Sequence, residues 1–567
     1  MGKLSEKAEI VFRDRYAFSE DETWEQACLR IAKAIASVEK EPQKWIDKFA
    51  EIIYDLYFLP GGRIIRNAGR PRTNLLNCFG LVCEDSIESI AETLKNTLII
   101  SAEGGGVGIN FNLRPKGAPV KRKGGVSSGV VSFMELFDVV NSIIETGGSR
   151  RGALLGFIRI DHPDVLDFIR AKSVEGKLTN FNISVAITHE FLDAVEGGEK
   201  WPLQFGGVVY SEVDARSLWM EIMENMVKHA EPGLLNWTNM QINNSYYCAP
   251  IVTVNACSEL TLEEFGSCNL GALVLPKFIS GDRTSWKKLE EVIHLAVRFL
   301  DNVLDVTTYP LPQIEATTLS LRRIGLGVMG LADYFFMKKI RYGSRESIKE
   351  IDRLFSFIRD TAYEASIKIA EEKGSFPKYD GIALSKSKFI RRMPKYIQRA
   401  IKEIGLRNVT LTSAQPTGTT SLLAEVTSGI EPLFAKGYRR KDRIGERIYI
   451  HPLAIEFISK GEPFPDWFVS SEDITPREHL EVQAAIQRYI CSSISKTINC
   501  PKGTTAEELS LYILEYIREL KGVTVYVDES REEQVLYYLS EEEIKENINK
   551  GEIGSELGNC RSGVCEL

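Results

Sequence analysis

Apolar residues recur at helical spacing through residues 21–58. Trp24, Ala27, Cys28, Ile31 and Ile35 fall on one face of a first helix. A second apolar run extends from Trp45 to Phe58, and Leu59-Pro60-Gly61-Gly62 ends it. From about residue 73 to 160 short apolar runs alternate with Gly-rich turns. Glu103-Gly104-Gly105-Gly106-Val107-Gly108-Ile109-Asn110-Phe111 predicts a glycine-rich approach to a strand, and Val130–Ile144 a helix closed by Gly147-Gly148. Mixed strands and helices through the middle predict an α/β domain. After about 540 the pattern gives way to charge and glycine, which predicts a mobile tail. The expected division is a helical region over 1–70, an α/β domain over 71–540 and a tail over 541–567.

Composition adds limits. With 567 residues, 44% hydrophobic and 26% charged, the chain can bury a large core. It has no run of eighteen apolar residues, so no transmembrane helix is predicted. The opening Met-Gly-Lys-Leu-Ser-Glu-Lys lacks the apolar stretch of a signal peptide, and a cytoplasmic location is expected. A net charge of -8 disfavours nucleic acid as a partner, but free nucleotides need only a local basic cluster. The ten cysteines include no Cys-x-x-Cys pair, and no metal site is predicted. Cys28, Cys83, Cys248, Cys491 and Cys500 read as core thiols.

Three patterns carry chemistry. In Val252-Thr253-Val254-Asn255-Ala256-Cys257-Ser258-Glu259-Leu260, an extended backbone would put Asn255, Cys257 and Glu259 on one face. A thiol flanked by an amide and a carboxylate can serve as nucleophile or radical carrier beside a general base, although a solvated strand face gives the same spacing. Pro416-Thr417-Gly418-Thr419-Thr420-Ser421 sets hydroxyls and N–H groups before an apolar stretch, as a phosphate-binding helix start does. It lacks the Lys of a Walker loop, and alone it reads first as an ordinary N-capped turn. Cys560 and Cys565 on a mobile tail are exposed thiols, which favours a redox use.

Taken in order, these segments resemble the ribonucleotide reductases. Asn-x-Cys-x-Glu followed by Cys268-Asn269-Leu270-Gly271 is similar to that family's finger loop and the strand after it. Asn77-Cys78-Phe79-Gly80-Leu81 resembles its first-strand cysteine, and Glu103 to Pro115 its glycine-rich segment. Gly147-Gly148-Ser149-Arg150-Arg151-Gly152-Ala153 resembles its specificity loop, and the 416–421 turn its phosphate site. The resemblance implies a barrel of ten strands in two five-stranded halves, with the Cys257 loop threading the centre. It implies that Cys257 carries a thiyl radical that takes the ribose 3′-hydrogen. Glu259 would deprotonate the 3′-hydroxyl, and Asn255 would bind substrate hydroxyls. Cys78 and Cys268 would assist loss of the 2′-hydroxyl and finish as a disulfide. Cys560 and Cys565 would re-reduce that disulfide, themselves reduced by a thioredoxin-like partner. Asp85, Arg114 and Lys121 fall where the family binds a deoxynucleoside triphosphate effector at a homodimer interface, and Ser149, Arg150 and Arg151 fall in the loop that relays effector identity to the substrate pocket. Ala256 stands where the family usually has proline.

Within the family the radical source varies. Lys521-Gly522-Val523-Thr524-Val525-Tyr526-Val527-Asp528-Glu529-Ser530-Arg531 is similar to a stretch of the adenosylcobalamin-dependent type, with Val527 in place of the usual Arg. That similarity implies adenosylcobalamin as cofactor and ribonucleotides, as diphosphates, for substrate. The rival is a two-subunit enzyme that receives its radical from a metal-bearing partner through stacked tyrosines, for which Tyr537-Tyr538 is the alternative pair. A non-catalytic nucleotide sensor on the same fold is a further reading, and it could dispense with the cysteines.

Overall fold

A computed structural model describes residues 4–120, 124–143, 145–146, 150–151, 153–174, 176–442, 445–528 and 536–550. The chain opens with helices α1 (Glu6–Arg15), α2 (Trp24–Ala36) and α3 (Pro42–Tyr54). Thr23 and Gln26 form a reciprocal capping box at the start of α2, satisfying two otherwise unpaired N–H groups. The five apolar positions that predicted this helix are all buried in it. Pro42 begins α3, where a missing N–H costs nothing. The predicted second helix runs too long, because Phe58 belongs to a strand. Phe58, Leu59 and Pro60 pair with Leu273, Ala272 and Gly271, a tertiary bond that local periodicity does not register.

The core is a ten-stranded sheet. Its strands are β1 (Phe58–Pro60), β2 (Cys78–Glu84), β3 (Gly106–Asn112), β4 (Leu154–Arg159), β5 (Phe181–Ile187), β6 (Gly233–Asn236), β7 (Ser267–Val274), β8 (Ile324–Met329), β9 (Thr497–Cys500) and β10 (Gly522–Val527). Strands β2 to β6 are parallel in sequence order, with helices in the crossovers, such as Ile87–Ala102 and Val130–Ile143. The pairs β7·β8 and β9·β10 are also parallel, and parallel bridges from Leu326 to Thr412 and Ala414 to Ile494 lie between them. The two sets meet antiparallel, at β2·β7 and at β6·β10. Every residue of β7 and β8 is buried, as in a sheet covered on both faces.

Helix Trp286–Val306 binds the N-terminal helices to this sheet. Its Arg298 donates to Glu39, which lies between α2 and α3, at 2.7 and 2.9 Å. Asn302 and Lys373 each donate to the same carboxylate at 2.9 Å. No helix among the described residues is long and apolar enough to cross a membrane. The first ten residues assigned to the tail are helical, Glu541–Lys550, with Ile544 buried. Cys560 and Cys565 lie outside the described residues.

Candidate active site

The segment around Cys257 is a hairpin. Thr253–Val254 pairs antiparallel with Thr261–Leu262. The chain between them turns tightly rather than running extended. The N–H of Leu260 donates to Asn255 Oδ1 at 3.0 Å, and that of Ser258 to the Asn255 carbonyl at 3.1 Å. Ser258 takes a left-handed φ of 63°. The side chains therefore converge by a turn, not by strand alternation, because Asn255 spends its own oxygen closing the loop.

Two glycines let this hairpin lie across β2 and β3. A Cβ at Gly108 would sit 1.9 Å from the Val254 carbonyl oxygen, and one at Gly80 would sit 2.4 Å from Thr253 Cγ2. Only a residue without a side chain permits that approach. Asn110 of β3 donates to the Val252 carbonyl at 2.9 Å, and Ser493 N–H to the Glu259 carbonyl at 2.7 Å, fixing both ends of the loop.

The expected reacting groups come together. Cys78 and Cys268 are directly opposed across the antiparallel β2·β7 pair. Opposed residues hold their Cβ atoms roughly 4.5–5.5 Å apart, close to the reach of a disulfide. Both are free thiols. The Cys78 thiol donates to Glu259 Oε1 at 3.7 Å. Asn255 and Cys268 are wholly buried, Glu259 is 1% exposed, Cys78 6% and Cys257 8%. Asn255 Nδ2 and Glu259 Oε2 are buried without a well-aligned hydrogen bond, although the Asn255 amide is close enough to act on the Glu259 carboxyl and the Cys78 sulfur. Burial raises the Glu259 carboxyl to about 7. Burial, with the Glu259 charge beside them, also pushes the Cys257 and Cys78 thiols up. The thiols are thus held protonated, suited to hydrogen-atom and proton transfer rather than to thiolate attack.

Cys257 alone of the three site thiols lines an open cleft. Leu155, Asn182, Ser184, Val525 and Tyr526 also line it, along with Gln415 and Pro416. A second, smaller cavity lies on the other side of Gln415 and Pro416, bounded by Gly61, Asn77, Thr417, Thr419 and Thr420. Most of the predicted phosphate turn therefore faces a cavity. Gly418 and Ser421 belong to its helix, Gly418–Ala424, and Thr417 Oγ1 accepts from Gly429 N–H at 2.8 Å. Gln415, which sequence reasoning missed, donates to the Gly271 carbonyl at 2.8 Å and so locks the turn to β7. The signal available was its place directly before Pro416.

The effector residues are only partly visible. Arg114 Nε lies 3.0 Å from both Asp85 carboxylate oxygens, a half-exposed ion pair. The backbones of Arg150 and Arg151 pair with Thr146 and Glu145. Lys121 and Ser149 lie outside the described residues. Among the tyrosines, Tyr526 is buried in β10. Tyr537 is 44% exposed. Tyr538 stacks on Phe434 with ring centroids 5.2 Å apart. Consecutive strand residues point to opposite faces, so these last two do not stack on each other.

Two family models match the chain: the ribonucleotide reductase all-alpha domain over residues 3–73 and the ribonucleotide reductase barrel domain over residues 76–526. A vitamin B12-dependent ribonucleoside-diphosphate reductase of Mycobacterium tuberculosis is 35% identical, over 100% of this chain and 83% of that protein. One of the same description from Thermoplasma acidophilum is 35% identical over 94% of this chain and 72% of its own length. The ribonucleoside-diphosphate reductase large chain of Schizosaccharomyces pombe is 28% identical over 70% of this chain and 55% of that protein.

Proposed function

The chain belongs to the ribonucleotide reductase family, which makes deoxyribonucleotides, and from that premise we propose that it reduces ribonucleoside diphosphates by a thiyl radical on Cys257. The observation that carries this reading is the buried cluster of Cys257, Glu259, Asn255, Cys78 and Cys268 around one hairpin turn. Cys257 takes the 3′-hydrogen of the ribose, and Glu259 takes the proton of the 3′-hydroxyl. Cys78 and Cys268 supply two protons and two electrons, so the 2′-hydroxyl leaves as water and the sulfurs join. The 3′-hydrogen then returns from Cys257, and Glu259 gives its proton back to the 3′-oxygen. The Asn255 amide is available to a substrate hydroxyl, and the 416–421 turn to the phosphates.

The radical source we infer is adenosylcobalamin, as named for the relatives in Mycobacterium and Thermoplasma. The residues present fit such a group. The Cys257 cleft opens to solvent, with Leu155 and Val525 as apolar walls and Asn182, Ser184 and Thr524 as hydrogen-bonding ones. When bound, adenosylcobalamin supplies a one-electron hydrogen acceptor for the Cys257 thiol. The opposed faces of Tyr537 and Tyr538 give no support to a tyrosine relay from a second subunit. Re-reduction by Cys560 and Cys565, a thioredoxin-like reductant, a homodimer and a deoxynucleoside triphosphate effector near Asp85, Arg114, Lys121 and the Ser149–Arg151 loop complete the proposal.

The test is anaerobic turnover of the full chain with CDP, dithiothreitol and a deoxynucleoside triphosphate, with and without adenosylcobalamin. Deoxycytidine product is expected only with the cofactor, and Cys257→Ala should abolish it. Product formed without cobalamin, or an active Cys257→Ala variant, would overturn the reading.

A further inference from the structure

The two sulfurs of the Cys78–Cys268 pair have unlike surroundings. Cys78 keeps 6% of its surface exposed and lies beside the Glu259 carboxyl. Cys268 is fully enclosed. Its sulfur lies over Gly325 of β8, 3.5 Å from where a Cβ would be. In the β7·β8 register Asn269 is level with Ile324, so Cys268 is level with Arg323. Arg323 directly precedes β8, two residues before Gly325.

Arg323 is a wholly buried cation that none of the proposed steps uses. It pairs with Glu263, donates to Thr410 Oγ1 at 3.2 Å, and its guanidinium lies 4.6 Å from the centre of the Tyr246 ring. Its Nε is without a hydrogen-bond partner. The ionisable groups around Cys268 are Arg323, Glu259, Cys491 and Glu263, and Arg323 is the one whose charge favours a thiolate there. The charges that act on the Cys78 sulfur, Glu259, Cys257 and Cys268, all disfavour a thiolate, and only the Asn255 side-chain amide works the other way, with no cation beside it.

Thiol–disulfide exchange discriminates between two such sulfurs. The attacked sulfur must be reachable along the S–S axis, and the released one must hold a negative charge. We propose that, once the pair is oxidised, Cys78 is the sulfur attacked and Cys268 the sulfur released, with Arg323 as the positioning residue that holds the released thiolate. This rests on the reading of the pair as the site's reducing dithiol. An incoming dithiol, as its monothiolate, forms a bond to Cys78 sulfur while the S–S bond breaks and its electron pair goes to Cys268. The reductant's second thiol then attacks its own mixed disulfide and releases Cys78. The reductant ends as a disulfide, its two electrons reside on the two cysteines, and one proton from its second thiol and one from solvent restore them as thiols.

The experiment uses the full chain with Cys560→Ser and Cys565→Ser, so that an added thiol reacts directly with the site. The protein is oxidised with diamide, and peptide mapping locates the bond. Limiting glutathione followed by acid quench and mass spectrometry then locates the mixed disulfide, expected on Cys78. Rates of reduction by dithiothreitol are followed from pH 6.5 to 9. Arg323→Lys should stay within about twofold, whereas the charge-neutral double variant Arg323→Gln with Glu263→Gln should slow by roughly tenfold and lose regioselectivity. The double variant avoids stranding a buried carboxylate, and a melt checks that it folds. Absence of a Cys78–Cys268 bond after oxidation would overturn the reading of the pair, and this inference with it. A Cys78–Cys268 bond with glutathione on Cys268, or with an unchanged rate in the folded double variant, would overturn the inference alone.

Discussion

Glu259 is where protonation decides most. Burial holds its carboxyl up near pH 7, so it is half ionised at neutrality. A base must be ionised, so kcat should rise as pH passes upward through about 7, and a flat profile between pH 6 and 8 would remove Glu259 from that role. The effect on stability has the opposite direction. A carboxyl whose folded value exceeds its ordinary 4.5 binds its proton more tightly when folded, so stability is complete below 4.5 and falls as pH rises through about 7. Glu259→Gln should therefore abolish turnover yet be more stable than the parent at pH 8, by about 3 kcal/mol at most, and alike at pH 4. Thermal melts at the two pH values check it. The rare residue types of this site were legible in the sequence, because cysteine, asparagine and glutamate at tight spacing have few other uses. The adjacency of Arg323 to Cys268 was not, since it arises from parallel pairing between strands separated by a long helical crossover.

Among the elements, the Cys257 hairpin depends on what lies beneath it. Gly108→Ala would press a methyl group into the Val254 carbonyl, 1.9 Å away in the present geometry. A shift of about 1 Å in a reacting group can cost 100-fold in rate, and a loss of that order in kcat is expected. Gly125→Ala, where nothing lies within 4 Å, is the matched control and should leave steady-state kinetics unchanged. Normal activity in Gly108→Ala would show that the hairpin has another place to rest. Helices α2 and α3 were readable from their apolar spacing, and the strand at Gly106–Asn112 from its glycine-rich approach. The strand at Phe58–Pro60 and the turn at Asn255 were misread for one shared reason. Each is specified by a hydrogen bond to a partner that local pattern does not reveal: β7 in the first case and the Leu260 N–H in the second.

Over the whole molecule, the N-terminal helices meet helix Trp286–Val306 around one buried carboxylate, Glu39. Burial alone would raise Glu39, but hydrogen bonds from Arg298, Lys373 and Asn302 hold it down at about 2. Its contribution is therefore present above the ordinary value of 4.5 and is lost as pH falls toward 2. Glu39→Gln should lower stability to urea by about 3 kcal/mol at pH 7, because it leaves Arg298 buried with only part of its charge answered. A wild-type-like urea midpoint at pH 7 would mean that the helices are held by apolar packing alone.

The two parallel halves of the sheet meet antiparallel at β2·β7, and Cys78 and Cys268 sit on that line. When the pair oxidises, the bond does more than store two electrons: it rivets one half of the scaffold to the other. The covalent loop it closes includes β2 to β7, and on a chain-entropy basis such a loop is worth roughly 4–5 kcal/mol. On the proposed cycle, the enzyme then alternates between a riveted framework and an unriveted one. The reductant that readies the site for its next substrate also unlocks the mechanical join on which the site is mounted.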